Sequence, residues 1–181
     1  MKSLKLLLFC SVISAGLQSQ ETQDWIKSPV DYVNPLMGTQ SSYELSNGNT
    51  YPIIGLPWGM NYWTPQTGKN GNGWQYTYDA KKIQGFKQTH QPWPWMNDYG
   101  QFSILPMVGK QETDQEKRAS WFSHKTEEVT PYFYKVYLAD YDVWSEITPT
   151  ERAAVMRFTF PETDQAQILL DAFDKGSYVK I

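Results

Sequence analysis

Apolar and polar residues alternate along the second half of this chain. Ala154, Met156, Phe158 and Phe160 alternate with Val155, Arg157 and Thr159. Tyr132, Tyr134, Val136 and Leu138 alternate with Phe133, Lys135 and Tyr137. A period of two places each set on one face of a β-strand. The runs 101–108, 143–147 and 167–173 predict further strands. Turn signals roughly every 8–15 residues between them predict an all-β, antiparallel β-sandwich. The charged stretch 111–118 fits a short helix or a solvated loop equally well. The first half reads differently. Between residues 32 and 100 the chain is punctuated by Asn34-Pro35, Asn47-Gly48-Asn49, Gly55-Leu56-Pro57 and Asn70-Gly71-Asn72-Gly73, which predicts long loops.

The first twenty residues stand outside this pattern. Lys2 and Lys5 precede the apolar run Leu6-Leu7-Leu8-Phe9-Cys10-Ser11-Val12-Ile13, and small Ser14, Ala15 and Gly16 follow. Such a run is too short to span a bilayer and reads as a signal peptide over 1–20, cut between Gly16 and Gln20. Lipidation at Cys10 is the weaker reading, because bulky Phe9 sits where a small residue is expected. The product is expected to be secreted or periplasmic, with no membrane span. At the other end, Ile168-Leu169-Leu170 is followed only by residues 171–181. A strand left there would expose an unpaired edge, so the chain is expected to be part of something longer.

Composition narrows the chemistry. The net charge is -3 and no Lys/Arg-rich block occurs, so a phosphate-neutralising nucleic-acid surface is not expected. The one cysteine excludes a disulfide framework and a thiolate-rich zinc site. Aromatics make up 15% of the chain. Trp58, Trp63, Trp74, Trp93 and Trp95 fall in the turn-rich half, beside Tyr62, Tyr76 and Tyr78. An aromatic ring offers a flat apolar face to the C–H face of a pyranose. The competing reading is that these rings pack beneath long loops.

The segment Thr89-His90-Gln91-Pro92-Trp93-Pro94-Trp95 is the most pointed. Two prolines stiffen the backbone around two tryptophans, which suggests a rigid, presented loop. His90 fits a general acid, a general base or a hydroxyl ligand, and equally a hydrogen-bonded structural residue. Carboxylates form no evident pair. Asp79, Asp98, Glu146 and Glu151 are possible members of a glycosidase pair, but spacing alone brings no two together. Asp140, Asp142, Asp171 and Asp174 offer oxygens to calcium, though solvated turns explain them better. No Gly-x-Ser-x-Gly elbow, P-loop or dinucleotide fingerprint is present.

An ordered series of motifs then resembles a known family. It runs through Asp31-Tyr32-Val33-Asn34-Pro35-Leu36-Met37-Gly38-Thr39, Gly48-Asn49-Thr50-Tyr51-Pro52 and Pro57-Trp58-Gly59-Met60. It continues through Thr64-Pro65-Gln66-Thr67, Gly73-Trp74-Gln75-Tyr76, Ile83-Gln84-Gly85-Phe86-Lys87-Gln88-Thr89-His90 and Asp98-Tyr99-Gly100. Ile104-Leu105-Pro106, Phe122-Ser123-His124-Lys125, Tyr132-Phe133-Tyr134-Lys135-Val136 and Thr148-Pro149-Thr150-Glu151-Arg152 complete it. The chain is similar to the N-terminal part of family 92 glycoside hydrolases over residues 31–172.

That resemblance implies a calcium-dependent, inverting exo-α-mannosidase acting on mannose-containing glycans. It implies that residues 21–181 form a supersandwich, galactose-mutarotase-like β-domain with long aromatic-rich loops, itself incomplete. It also implies that the catalytic carboxylates and calcium ligands belong to an (α/α)6 barrel absent from this chain. This chain would then supply no catalytic residue and bind no metal, and would be inactive alone. The resemblance places Trp95 in the sugar pocket, with Trp93 second and Gly73 as a weaker contact, and His90 joins them as a candidate substrate contact. Leu36 departs from the Phe that many members carry beside the pocket. The Gln-Pro-Trp-Pro-Trp loop departs from their Ser/Gly-rich version. The alternative is a free-standing, non-catalytic carbohydrate-binding module.

Overall fold

The structure is a computed structural model that describes residues 28–40, 50–68, 76–89, 102–172, 178 and 180. Ten strands are described, and their pairings are all antiparallel. One four-stranded sheet runs β1 (Tyr62–Gln66), β3 (Gly85–Thr89), β4 (Phe102–Val108), β10 (Ala166–Ala172). The second runs β6 (Glu128–Thr130), β7 (Phe133–Leu138), β8 (Val143–Pro149), β9 (Ala154–Thr159). A two-stranded ribbon joins β2 (Lys82–Ile83) to β5 (Ser120–Trp121).

The second sheet follows the alternation of the sequence. Tyr134, Val136 and Leu138 are fully buried, while Phe133, Lys135 and Tyr137 are half-buried on the opposite face. On β9, Ala154, Met156 and Phe158 turn inward, and Val155, Arg157 and Thr159 face solvent. The strand ends at Thr159, one residue before Phe160, and β7 begins after Tyr132, which occupies the preceding turn. Between the sheets the core gathers Ile54, Trp63, Phe86, Leu105 and Met107 with Tyr134, Val136, Leu138 and Ile147. Phe86 meets Tyr134 edge to face, with ring centroids 6.0 Å apart. Burying a side chain of this size contributes about 1.5–3 kcal/mol. The stretch 111–118 is a loop with one turn, not a helix. Asp114 holds it by accepting from the backbone N–H groups of Glu116 and Lys117, both at 3.0 Å.

The loop-heavy first half also contributes strands. β1 carries Pro65 and β3 opens on Gly85, so neither shows a clean apolar alternation. Pro65 is tolerated because β1 is an edge strand of its sheet. Pro106 lies in β4 beyond the two residues, Ser103 and Ile104, that pair with β3.

One polar row crosses the first sheet. Thr64 pairs with Lys87, Lys87 with Ser103, and Ser103 with Asp171, so the four share one face. Lys87 is 0% exposed, and its Nζ has no hydrogen-bond partner among the described residues. Burial pulls its ammonium down to about 8, against the weaker opposing pull of Asp171. Asp171 is engaged by Arg118, which also donates to the Thr113 carbonyl at 2.9 Å.

A pH signature follows. Between pH 8 and 10 the unfolded chain holds the Lys87 proton and the folded chain has released it, so stability rises with pH in that window. The full rise is about 3 kcal/mol at ~1.4 kcal/mol per pKa unit. Above pH 10 the sign reverses, because burial holds the Tyr76 and Tyr134 hydroxyls protonated in the folded state. Urea denaturation at stepped pH should show the rise, and Lys87→Met should remove it while gaining stability at pH 7. A flat profile in the wild-type chain would contradict the assignment.

Candidate functional site

The pairing registers bring a set of loops to one end of the sandwich. Tyr62 opens β1 opposite Thr89, the last residue of β3. Phe102 opens β4 opposite Ala172, the last residue of β10. The segment carrying His90, Trp93 and Trp95 therefore leaves and re-enters the sheet at this end. On the second sheet the β6–β7 turn and the β8–β9 turn lie at the same end. The Gly55 N–H donates to the Pro131 carbonyl at 2.8 Å, and the Met60 N–H donates to the Glu151 carbonyl at 2.9 Å.

Asn61 locks this end. Its Oδ1 accepts from Trp63 Nε1 at 3.0 Å and from Gln88 Nε2 at 2.9 Å, and its Nδ2 donates to the Ala153 carbonyl at 2.7 Å. One buried amide thus ties β1, β3 and the β8–β9 turn together. Gly55 adds a close approach. A Cβ there would sit 1.9 Å from Cδ1 of Tyr62, so only glycine lets that ring lie against the loop.

The expected sugar contacts Trp95, Trp93 and His90 lie outside the described residues, as do Gly73 and Asp98. What is described is their footing: the strands on either side of 90–101 end at the locked end of the sandwich. The segment holding Gly73 has a different footing. It leaves β1 beyond Gln66, at the opposite end of that strand, and returns at buried Tyr76.

Most of the other candidates have structural partners. Glu146 lies on β8 and accepts twice from Arg157, at 2.5 and 2.7 Å. That bond holds its carboxyl below the usual range and leaves it a poor acid. Asp79 is held by Gln40, which donates to its carboxylate and accepts from its backbone N–H. Asp140 accepts from the Trp121 N–H at 2.9 Å, and Asp142 accepts from the Tyr137 hydroxyl at 2.7 Å. Glu151 is exposed in the β8–β9 turn. Among the described residues, no three His, Cys, Asp or Glu side chains gather in a group that could hold a metal ion.

One cluster looks catalytic but is closed. The Glu127 side chain is 0% exposed. Its Oε1 accepts from the Tyr134 hydroxyl at 2.7 Å, and its Oε2 lies 2.5 Å from His124 Nδ1. The other ring nitrogen, Nε2, lies 2.8 Å from the Tyr78 carbonyl. Tyr78 stacks on the imidazole at 4.0 Å between centroids. With both nitrogens occupied, His124 has no free atom to exchange a proton with a substrate. The group clamps the turn at Tyr78 onto the second sheet. Sequence spacing did not reveal it, because Tyr78, His124 and Tyr134 lie on three separate segments. Glu127→Ala would strand the Tyr134 hydroxyl and remove the carboxylate beside His124. It should cost about 3 kcal/mol, read as a lowered urea midpoint, against about 1 kcal/mol for Tyr134→Phe. Equal losses would show that the carboxylate does not organise the cluster.

Comparison with known proteins agrees with this architecture. The chain superimposes on a family 92 inverting mannosidase from Bacteroides thetaiotaomicron with a TM-score of 0.74 and 48% identity, over 81% of this chain and 20% of that one. A family 92 alpha-mannosidase from the same organism matches with a TM-score of 0.68 and 32% identity, over 79% and 20%. An uncharacterized secreted glycosidase of Arthroderma benhamiae is 24% identical over 172 residues, which is 91% of this chain and 22% of the relative. The chain thus spans about a fifth of the length of these relatives. No described helix is long and apolar enough to cross a membrane. Residues 32–180 match the glycosyl hydrolase family 92 N-terminal domain, and the chain belongs to that family.

Proposed function

We propose that this chain is the N-terminal, pocket-contributing domain of a secreted, calcium-dependent, inverting exo-α-mannosidase that trims mannose-containing glycans. In this reading residues 1–20 are a signal peptide, and residues 21–181 are an incomplete sandwich that works with a larger (α/α)6 catalytic domain. The observation that carries it is the 48% identity to an inverting mannosidase over a superimposable fold.

The chemistry divides accordingly. Inversion needs an acid carboxyl and a base carboxylate about 6.5–9.5 Å apart on either side of the bond. Glu146, Glu127, Asp79 and Asp171 are engaged with Arg157, Tyr134 and His124, Gln40 and Arg118 respectively. Calcium, when bound, would supply a Lewis-acidic centre from ligands outside this chain. This chain would supply apolar faces that orient the glycan, with Trp95 first, Trp93 second, and Gly73 and His90 beside them. Three of these lie in the segment that follows β3, whose Gln88 donates to Asn61 at 2.9 Å.

The test is the product formed by the protein extended to its natural C-terminus. Proton NMR of a fresh digest of an α-mannoside should show β-mannose first, and a chelator should abolish the reaction. Initial release of α-mannose would overturn inversion. Binding of α-mannosides with no hydrolysis by the extended protein would favour a carbohydrate-binding module.

A further inference from the structure

Trp58 occupies a position that neither burial nor backbone ease accounts for. Its side chain is 97% exposed, the highest value among the large apolar residues described as exposed. Its φ is 63°, in the left-handed region that L-residues with a Cβ rarely enter. Pro57 fixes the preceding φ, and the Gly59 N–H donates to the Leu56 carbonyl at 3.0 Å. This is a type II turn whose third position ordinarily takes glycine. The exit from the turn is pinned by Met60 to the Glu151 carbonyl and by Asn61 to the Ala153 carbonyl. Glycine would suit the backbone better, and a polar side chain would suit the water better.

What remains is presentation of the ring. The turn lies at the same locked end of the sandwich from which the Trp93 and Trp95 loop departs, and backbone strain of this kind collects at functional positions. Close to the turn lies the exposed Glu151-Arg152 pair, with the Glu151 Cα only 3.8 Å from where a Gly59 Cβ would stand. An open indole face is the apolar half of a pyranose platform, and a carboxylate and a guanidinium carried by the neighbouring turn are groups that bond sugar hydroxyls. We infer that Trp58 is a sugar-stacking residue that carries a mannosyl unit of the glycan outside the bond being cleaved. The inference rests on the mannosidase reading above.

The test compares two substrates in the protein extended to its natural C-terminus, with melting temperature alongside. Trp58→Gly relieves the turn and removes the ring. It should leave the melting temperature unchanged or raised, lower kcat/KM on an α-linked mannotriose at least tenfold, and change 4-nitrophenyl α-mannoside hydrolysis less than twofold. Trp58→Phe should retain most of the mannotriose activity. Unchanged mannotriose activity in Trp58→Gly would overturn the inference while the mannosidase reading stands. A melting temperature several degrees lower, with equal losses on both substrates, would instead mark Trp58 as packed against another part of the protein, and would also overturn it. A wild-type protein that cleaves neither substrate would sink the mannosidase reading and this inference with it.

Discussion

Purified residues 21–181 should release no mannose from any α-mannoside, whatever the linkage. Without a positioned acid and base, an enzyme of this kind loses essentially its whole rate enhancement, which for glycosidases is many orders of magnitude. The described carboxylates with buried or paired side chains are committed to structure. Glu127 is sealed among Tyr134, His124 and Tyr76, and Glu146 is ionised in a two-pronged bond to Arg157. Raising the carboxyl pKa of Glu146, as a general acid requires, would mean giving up that bond. A sensitive coupled assay for free mannose, run on protein free of host glycosidases, decides the matter. Turnover that survives Glu146→Gln and Glu127→Gln would place the chemistry elsewhere in this chain and end the division of labour proposed above.

Replacing Trp95 by alanine in the extended protein should cut kcat/KM on mannobiose substrates by about 10- to 1000-fold. That corresponds to roughly 1.4–4 kcal/mol of transition-state stabilisation. Indole offers only an N–H donor and has no accessible pKa, so its removal weakens positioning without removing a proton-transfer step. An activated aryl mannoside, whose leaving group needs no platform, should lose much less. Wild-type activity in Trp95→Ala on every mannobiose linkage, with loss in Trp93→Ala, would transfer the contact to Trp93.

The sequence displays some of this architecture openly and hides the rest for identifiable reasons. β7, β8 and β9 are legible because one of their faces meets the core and the other meets water, so Tyr134, Val136 and Leu138 alternate with Phe133, Lys135 and Tyr137. β1 and β3 are not legible, because the face shared by Thr64 and Lys87 is polar and buried at once. No period-two pattern survives burial on both faces, and Pro65 and Gly85 add breaker signals. The motifs around Trp58 and Asn61 are visible in the sequence, but their roles are not. Pro57-Trp58-Gly59 reads as a turn, yet the sequence alone does not tell that the tryptophan, and not the glycine, takes the left-handed position. The Asn61 network joins residues from β3 and from the β8–β9 turn, which only the fold brings together. The family resemblance reached further than the residue patterns did, because an ordered run of short motifs constrains the whole first half at once.

The place of β10 sets a timetable for folding. Its partner β4 is made long before it, and Arg118, buried between them in sequence, finds Asp171 only when β10 docks. Until β10 docks, β4 lacks one neighbour and Arg118 lacks its counter-charge. The first sheet therefore gains β10 late, after all the described strands of the second sheet have been made. Pairings of such long sequence separation form slowly. A chain that stalls short of residue 172 would present β4 as an unprotected template, which makes the interval before β10 emerges the period when aggregation and proteolysis have the best chance to claim it.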